Sequence, residues 1–233
     1  MGNLLPILIK LSEVEILLDF SILIDHFDMY LYGFKITVTA SAIALILSLF
    51  IGAIIAVMRI TPIAPLRWIG TAYVEFFRNI PLVIIAFFFF IGTPAIGITF
   101  SGLTAGTIAL TIYTSAFIAE AIRSGILSVP KGQMEAARSS GLSYIQAMRM
   151  IILPQAIKIV IPPIGNQLIN LVKNSSILAL IAGTDLMYQA DLISAKTFVV
   201  FDVYIFVALF YLVLTIPLSL GVGYLEKRLA RSQ

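Results

Sequence analysis

The sequence predicts an all-α integral membrane protein with five spanning helices, and three observations carry that reading. The chain is 60% hydrophobic and only 12% charged over 233 residues, where an ordinary soluble domain carries about 25% charge. Its mean hydropathy is +1.05. Its apolar residues fall in blocks long enough to cross a hydrocarbon core of about 30 Å, which takes about 20 helical residues. Membrane strands do not fit, because they would show short alternating segments and not continuous apolar runs.

The first span covers Gly33 to Met58 and ends at Arg59, where Pro62 and Pro65 keep the next loop from continuing as helix. The second runs from Trp68 to Ile91, through Phe87, Phe88, Phe89 and Phe90, and stops at Gly92-Thr93-Pro94. The third covers Leu103 to Ile122. The fourth starts at Pro154 and reaches Ile169 or beyond, with Pro162 and Pro163 bending or loosening it. The fifth extends from Val203 to Tyr224. Between the last two, Ile177 to Ala182 is apolar but too short to span. It reads as a re-entrant or tilted segment, tolerated only where its backbone groups face protein or water.

Five spans place the termini on opposite sides. Arg59 and Arg67 fall in one loop, Arg123, Lys131, Arg138 and Arg149 in the longest loop, and Lys227, Arg228 and Arg231 at the tail. The opposite side is acidic or uncharged, with Glu13, Glu15, Asp19, Asp25 and Asp28 before the first span. Lysine and arginine accumulate on the cytoplasmic side, so the N-terminus is expected outside and the C-terminus in the cytoplasm. Lys10 and the segment around Lys173 and Lys196 do not take part in this bias.

The expected organisation is therefore an extracytoplasmic segment over 1–30, able to form an interfacial helix, a membrane domain over 31–226 with a cytoplasmic loop at 128–154, and a cytoplasmic tail at 227–233. No soluble stretch is long enough to bury a core of its own. The first 30 residues are acidic and lack the pattern of a cleavable signal peptide. Cysteine is absent, which excludes disulfides and thiolate metal sites. The lone histidine, His26, stands among scattered acids and reads as part of a solvated face and not as a metal ligand. The net charge of +3 is accounted for by residues at span ends, so nucleic acid is not an expected partner.

The loop at 128–154 is the polar exception in an oily chain. Pro130 and Gly132 break the preceding helix, Gln133 to Ser140 is rich in helix formers, Gly141 permits a left-handed turn, and a second helical piece climbs to Pro154. A short helix clamped between turns at the membrane face can pass force to a rigid span, or it can be an ordinary surface helix. The residues Glu135, Ala136, Ala137 and Gly141, followed by Ile151, Leu153 and Pro154, resemble the EAA loop of permease subunits of bacterial ABC importers. Further segments are similar to the polar amino acid uptake branch of that family: Val74 to Leu82, Tyr113 to Ile126, Val129 to Gln133, Leu171 to Ser176 and Tyr224 to Leu229. Asn79, where the family usually has glycine, and Val83-Ile84-Ile85, where it commonly has glutamine, depart from the pattern.

The resemblance implies the type I ABC importer transmembrane fold and transport of a polar amino acid such as glutamine or glutamate by alternating access. It implies that Glu135, Ala136, Ala137 and Gly141 form the coupling element for two cytosolic ABC ATPase subunits. It further implies a second permease subunit, identical or related, an extracytoplasmic amino acid-binding protein, and a place in the bacterial cell membrane. This chain has no G-x-x-x-x-G-K-[ST] and no region to house one, so ATP and magnesium are expected on the partner subunits and no cofactor or covalent chemistry on this one.

Charges and amides at membrane depth mark a candidate pathway, because they are costly unless they face protein or water. Glu75 and Arg78 lie three apart in the second span, and Glu120 and Arg123 near the inner end of the third, so each pair can close locally. Arg78 and Glu75 would suit the carboxylate and ammonium of a zwitterion; both pairs would equally serve to lock helices together. Asn166 and Asn170 share one face of the fourth span, and Lys173 follows it within a polar cluster. A stand-alone secondary transporter would require a balanced inverted repeat, which the sequence does not show. A membrane-embedded enzyme would require a clustered nucleophile and base or a metal set, and a pure scaffold would leave the buried charges without a use.

Overall fold

A computed structural model describes residues 18–230, and its regular structure is helical, with no strand among the described residues. The expectations for 1–17 and for 231–233 lie outside the described residues. A short helix α1, Phe20–Asp25, is capped by Asp19, whose carboxylate accepts from the Ser21 amide at 2.9 Å and the Ser21 hydroxyl at 2.6 Å. It precedes α2, Phe27–Ile60, which at 34 residues rises about 50 Å.

Helix α2 is the spine of the bundle. Gly33, Thr37, Ala40, Ala44, Ser48, Gly52 and Ala56 are all buried along one face. Lipid tails are as apolar as leucine, so helices in a bilayer associate through close backbone packing, which small residues permit. The facing helix α5, Gly102–Leu127, brings Ser115 and Ile118 against Gly52, and the Ser48 hydroxyl donates to the Thr111 carbonyl at 3.1 Å. Large apolar residues turn outward, among them Phe50, Trp68, Val213 and Leu220.

The segment expected to be a single second span is broken. Helix α3, Ala64–Asn79, stops at Ile80, and α4, Leu82–Phe87, starts after Pro81. The two arms meet at 105°. Ile80 is extended, with φ −106° and ψ 135°, because the proline ring disfavours helical backbone in the residue before it. Beyond α4 the phenylalanine run winds into a π-helical turn, Phe88–Gly92, and then a 3₁₀ turn, Thr93–Ile96. Among the described residues four helices are long and apolar enough to cross a membrane, or five where the bent pair is counted as one span.

Three further elements follow α5: α6, Lys131–Ser139, α7, Tyr144–Ala147, and a π-helical turn, Met148–Ile152. Helix α8, Leu153–Asn174, runs on through Pro162 and Pro163 without a break. It continues into a 3₁₀ segment, Ser175–Ile181, so the apolar stretch expected to be re-entrant or tilted is the tight end of the fourth span. Leu178 and Ile181 are fully buried there, in a core with Leu82, Ile85, Ala105 and Ala109. Ala182 and Thr184, at φ 55° and 58°, turn the chain into α9, Leu186–Thr197. The left-handed region is costly for residues other than glycine, so the packing around this turn holds it.

Helix α10, Phe201–Ala230, closes the bundle and carries Lys227 and Arg228 in its last turn. Its first turns pack with α9 and the start of α2 in a separate core of Tyr30, Leu186, Ala190, Ile193, Val203 and Phe206. The molecule thus has an end marked by α9 and an opposite end marked by Arg59 and α6.

Candidate functional site

At the Arg59 end, three helices bring their charges to one point. Arg59, at the close of α2, is nearly buried and donates through Nη1 to Glu120 of α5, while its Nη2 lies 3.9 Å from Glu75 of α3. Arg123 holds the other side of Glu120, with Nη2 to Oε1 at 2.7 Å and Nε to Oε2 at 3.1 Å, and the Ser124 hydroxyl donates to Oε1 at 3.1 Å. The local pair expected between Glu120 and Arg123 is present. The one expected between Glu75 and Arg78 is not: Arg78 turns its guanidinium over the Phe117 ring, 5.2 Å from the centroid. A cation above an aromatic face is attracted by the ring quadrupole, and the absence of Arg78 leaves Glu75 to Arg59. Sequence reasoning missed Arg59 as the hub, since it stood only as the end of a span; its partners are up to 61 residues away.

Beyond this cluster, α5 leads through Val129 and Pro130 into α6. Met134 packs against Val129, Ile152 and Ala156, and Ala137 is buried, so this face holds the short helix in place. Glu135 and Ala136 are exposed, so the four residues expected to couple are divided: Ala137 is turned inward, and the outward face is that of Glu135 and Ala136. Gly141 sits at φ 85°. Its amide bonds the Arg138 carbonyl at 3.1 Å and the Leu142 amide bonds the Ala137 carbonyl at 3.2 Å, the paired closure that ends a helix on a left-handed glycine. Ser143 and Gln146 then cap α7 reciprocally.

At the α9 end, a pocket of about 490 Å³ opens beside the break in the second span. Pro81, Leu82 and Val83 form one wall, and Asn174, Ser176 and Asp191 supply its polar side. Asn166, Asn170 and Asn174 follow one another every fourth residue along α8, so they share a face that leads toward this pocket. Asn166 is exposed and Asn170 half-buried, while Lys173 is exposed one residue before Asn174. Glu75, Arg78 and Glu120 are not among the pocket's lining residues. Asp191 was not singled out from the sequence; an isolated acid in a short helix carries no signal until the pocket is seen.

Asp185, buried next to this region, caps α9 by accepting from the amides of Met187 at 3.2 Å and Tyr188 at 3.3 Å. Burial pushes its carboxyl up to about 7 from an ordinary 3.8, against the two amide bonds that favour the ionised form. A raised carboxyl favours the folded state below the unfolded value and loses that contribution as pH rises through the folded one. Asp185→Asn, which keeps the cap without the charge, is expected to gain stability relative to the parent as pH rises from about 4 to 7 and to show a constant difference above. The gain is on the order of 4 kcal/mol, read from thermal unfolding of the two proteins in the same lipid at stepped pH.

The family described as binding-protein-dependent transport system inner membrane component matches residues 48–231. The chain belongs to this family. As a membrane component of such a system, it is 69% identical over 215 residues to the probable glutamine ABC transporter permease protein GlnM of Bacillus subtilis (strain 168), an alignment covering 92% of this chain and 100% of that one. It is 40% identical to the probable glutamine ABC transporter permease protein GlnP of the same strain, over 88% of this chain and 95% of the relative. The glutamate transport system permease protein GluC of Corynebacterium efficiens is 36% identical, over 85% and 92%. Among solved structures, an amino acid ABC transporter with histidines superposes with a TM-score of 0.87 at 35% identity, over 91% of this chain and 100% of that one. The MetNI methionine ABC transporter shares the fold, with a TM-score of 0.66 at 23% identity over 86% and 94%. These relatives are transport permease subunits and not enzymes or secondary transporters working alone, and the multi-pass membrane component is at home in the cell membrane.

Proposed function

We propose that this chain is the permease subunit of an ATP-driven importer of polar amino acids, glutamine or glutamate first among them. It would stand with its N-terminus outside and its tail in the cytoplasm, beside a second permease subunit and above two ATPases that carry ATP and magnesium. An external binding protein would deliver the substrate. The observation that carries the reading is α6: a short helix anchored inward by Met134 and Ala137, ended by Gly141, and offering Glu135 and Ala136 to whatever lies beneath. The names of the close relatives support the substrate class.

Helix α6 packs on the Met148–Ile152 turn that leads into α8, α8 packs on α5, and α5 is tied to α2 and α3 by the Arg59 cluster. Motion of an ATPase pair under α6 would therefore reach the break at Pro81 through packed helices. Glu135→Lys reverses the exposed charge without touching the bundle. Gly141→Ala meets no atom within 4 Å, so its cost is backbone strain alone, about 1–2 kcal/mol. In the full reconstituted transporter, Glu135→Lys is expected to reduce ATP-driven glutamine uptake at least tenfold while membrane insertion stays unchanged, and Gly141→Ala to reduce it to a lesser degree. Normal uptake by both variants would remove the coupling role from α6.

A further inference from the structure

The pocket at the helix break has the chemistry of a site that reads an amino acid by its ends. Its lining holds one ionisable side chain, Asp191, set among the apolar surfaces of Leu82, Val83, Leu180 and Met187. The Tyr204 hydroxyl donates to Asp191 Oδ1 at 2.6 Å; Oδ2 has no partner among the described residues. The side-chain amide of Asn174 is likewise without a protein partner there. The Ser176 hydroxyl donates to the Lys173 carbonyl at 3.0 Å, which spends its proton and leaves its oxygen as an acceptor. A pocket near 490 Å³ falls within the roughly 300–1,000 Å³ typical of small-molecule sites, which are mostly apolar with a few placed polar groups.

We propose that Asp191 receives the ammonium group of the transported amino acid in this pocket, with Asn174 donating to its carboxylate and the Pro81–Val83 wall meeting its side chain. The inference rests on the permease reading and names the substrate subsite within it. Charge decides the assignment: an acid on the lining matches an ammonium, and an unpaired amide supplies the N–H donors that a carboxylate requires. Tyr204 is a positioning residue, holding the carboxylate through Oδ1 and leaving Oδ2 for the ligand. Location supports the same role. The pocket lies where α4 and the Ser175–Ile181 segment meet, both irregular continuations of longer helices. Non-helical backbone at membrane depth is tolerated where it is buried or lines a cavity.

The test is direct binding of radiolabelled glutamine, with glutamate and histidine in parallel, to the complex of permease and ATPase subunits in nanodiscs without binding protein. Asp191→Asn is expected to raise the Kd about tenfold, since a hydrogen bond to a charged group contributes about the 1.4 kcal/mol that a tenfold change represents. Asp191→Glu should stay within about threefold, and Tyr204→Phe should fall between the two. The analogue of glutamine with hydrogen in place of the α-ammonium should bind the parent and Asp191→Asn equally, because the group that Asp191 reads is gone. A Kd for Asp191→Asn within about twofold of the parent, or an equal loss for the deaminated analogue, overturns the proposal. Val83→Trp, which fills the wall opposite, gives a second reading if Asp191→Asn does not assemble; unchanged binding by that variant also overturns it. Vesicles in which the parent complex hydrolyses ATP yet accumulates none of the three amino acids would refute the permease reading itself, whereas uptake indifferent to Asp191 refutes the subsite alone.

Discussion

Arg59→Met is expected to destabilise the bundle by about 3 kcal/mol, the low end of what breaking a buried ion pair costs. The low end applies because Arg123 still touches Glu120 from its own helix. The side chain of Arg59 is only 7% exposed and Glu120 20% exposed, whereas Glu75 is 59% exposed and 3.9 Å away. The loss should therefore come from Glu120 and hardly from Glu75. Arg59→Met combined with Glu120→Gln should recover much of the loss, since the uncompensated carboxylate has been removed. Arg59→Lys should recover little, because a single ammonium cannot present a fork to two carboxylates on different helices. Thermal unfolding in lipid of the parent, Arg59→Met, Glu120→Gln and the double variant measures this as a double-mutant cycle, with Arg59→Lys alongside. Strict additivity of the single changes would show that the two side chains do not act as a pair.

Gly102→Ala is the second large effect, and it tests the tertiary contact that places the pocket wall. A Cβ at Gly102 would lie 1.8 Å from the Ile181 carbonyl oxygen and 2.8 Å from the Ala182 carbonyl carbon. Those are backbone atoms and cannot swing aside, so the cost should reach about 3 kcal/mol, the upper part of the overpacking range. Gly132→Ala is the control, since nothing lies within 4 Å of its added carbon. In a helix it should be neutral or stabilise by up to about 1 kcal/mol. Because Ile181 ends the segment that carries Ser176 and Leu180, Gly102→Ala should also weaken glutamine binding. Equal stability of the two alanine variants would mean that Ile181 does not sit against α5.

What could be read early and what could not divides by the range of the forces. The first, third and fifth spans are legible because a run of about 20 apolar residues suffices to cross a bilayer. The end of α6 at Gly141 was legible because a left-handed closure is a property of one residue and its immediate neighbours. The break at Pro81 was also written locally, in a proline preceded by a β-branched residue, but the apolar run on either side overrode it in a reading by hydropathy. The pairing of Arg78 failed because spacing alone states which residues can meet on one helix. It says nothing of an aromatic ring waiting on another.

The sequence by itself determined the membrane class, the long apolar helices and the turn chemistry around Glu135 to Gly141, because each follows from composition or from contacts within a few residues. Tertiary structure decided which charges meet at Arg59, how closely Ile181 approaches Gly102, and that Asp191 shares a pocket with Asn174 and Pro81. Those facts depend on helices distant in the chain packing through faces of small residues. The approach of two backbones, and the cavity left where a helix bends, belong to the assembled bundle and to no single segment of it.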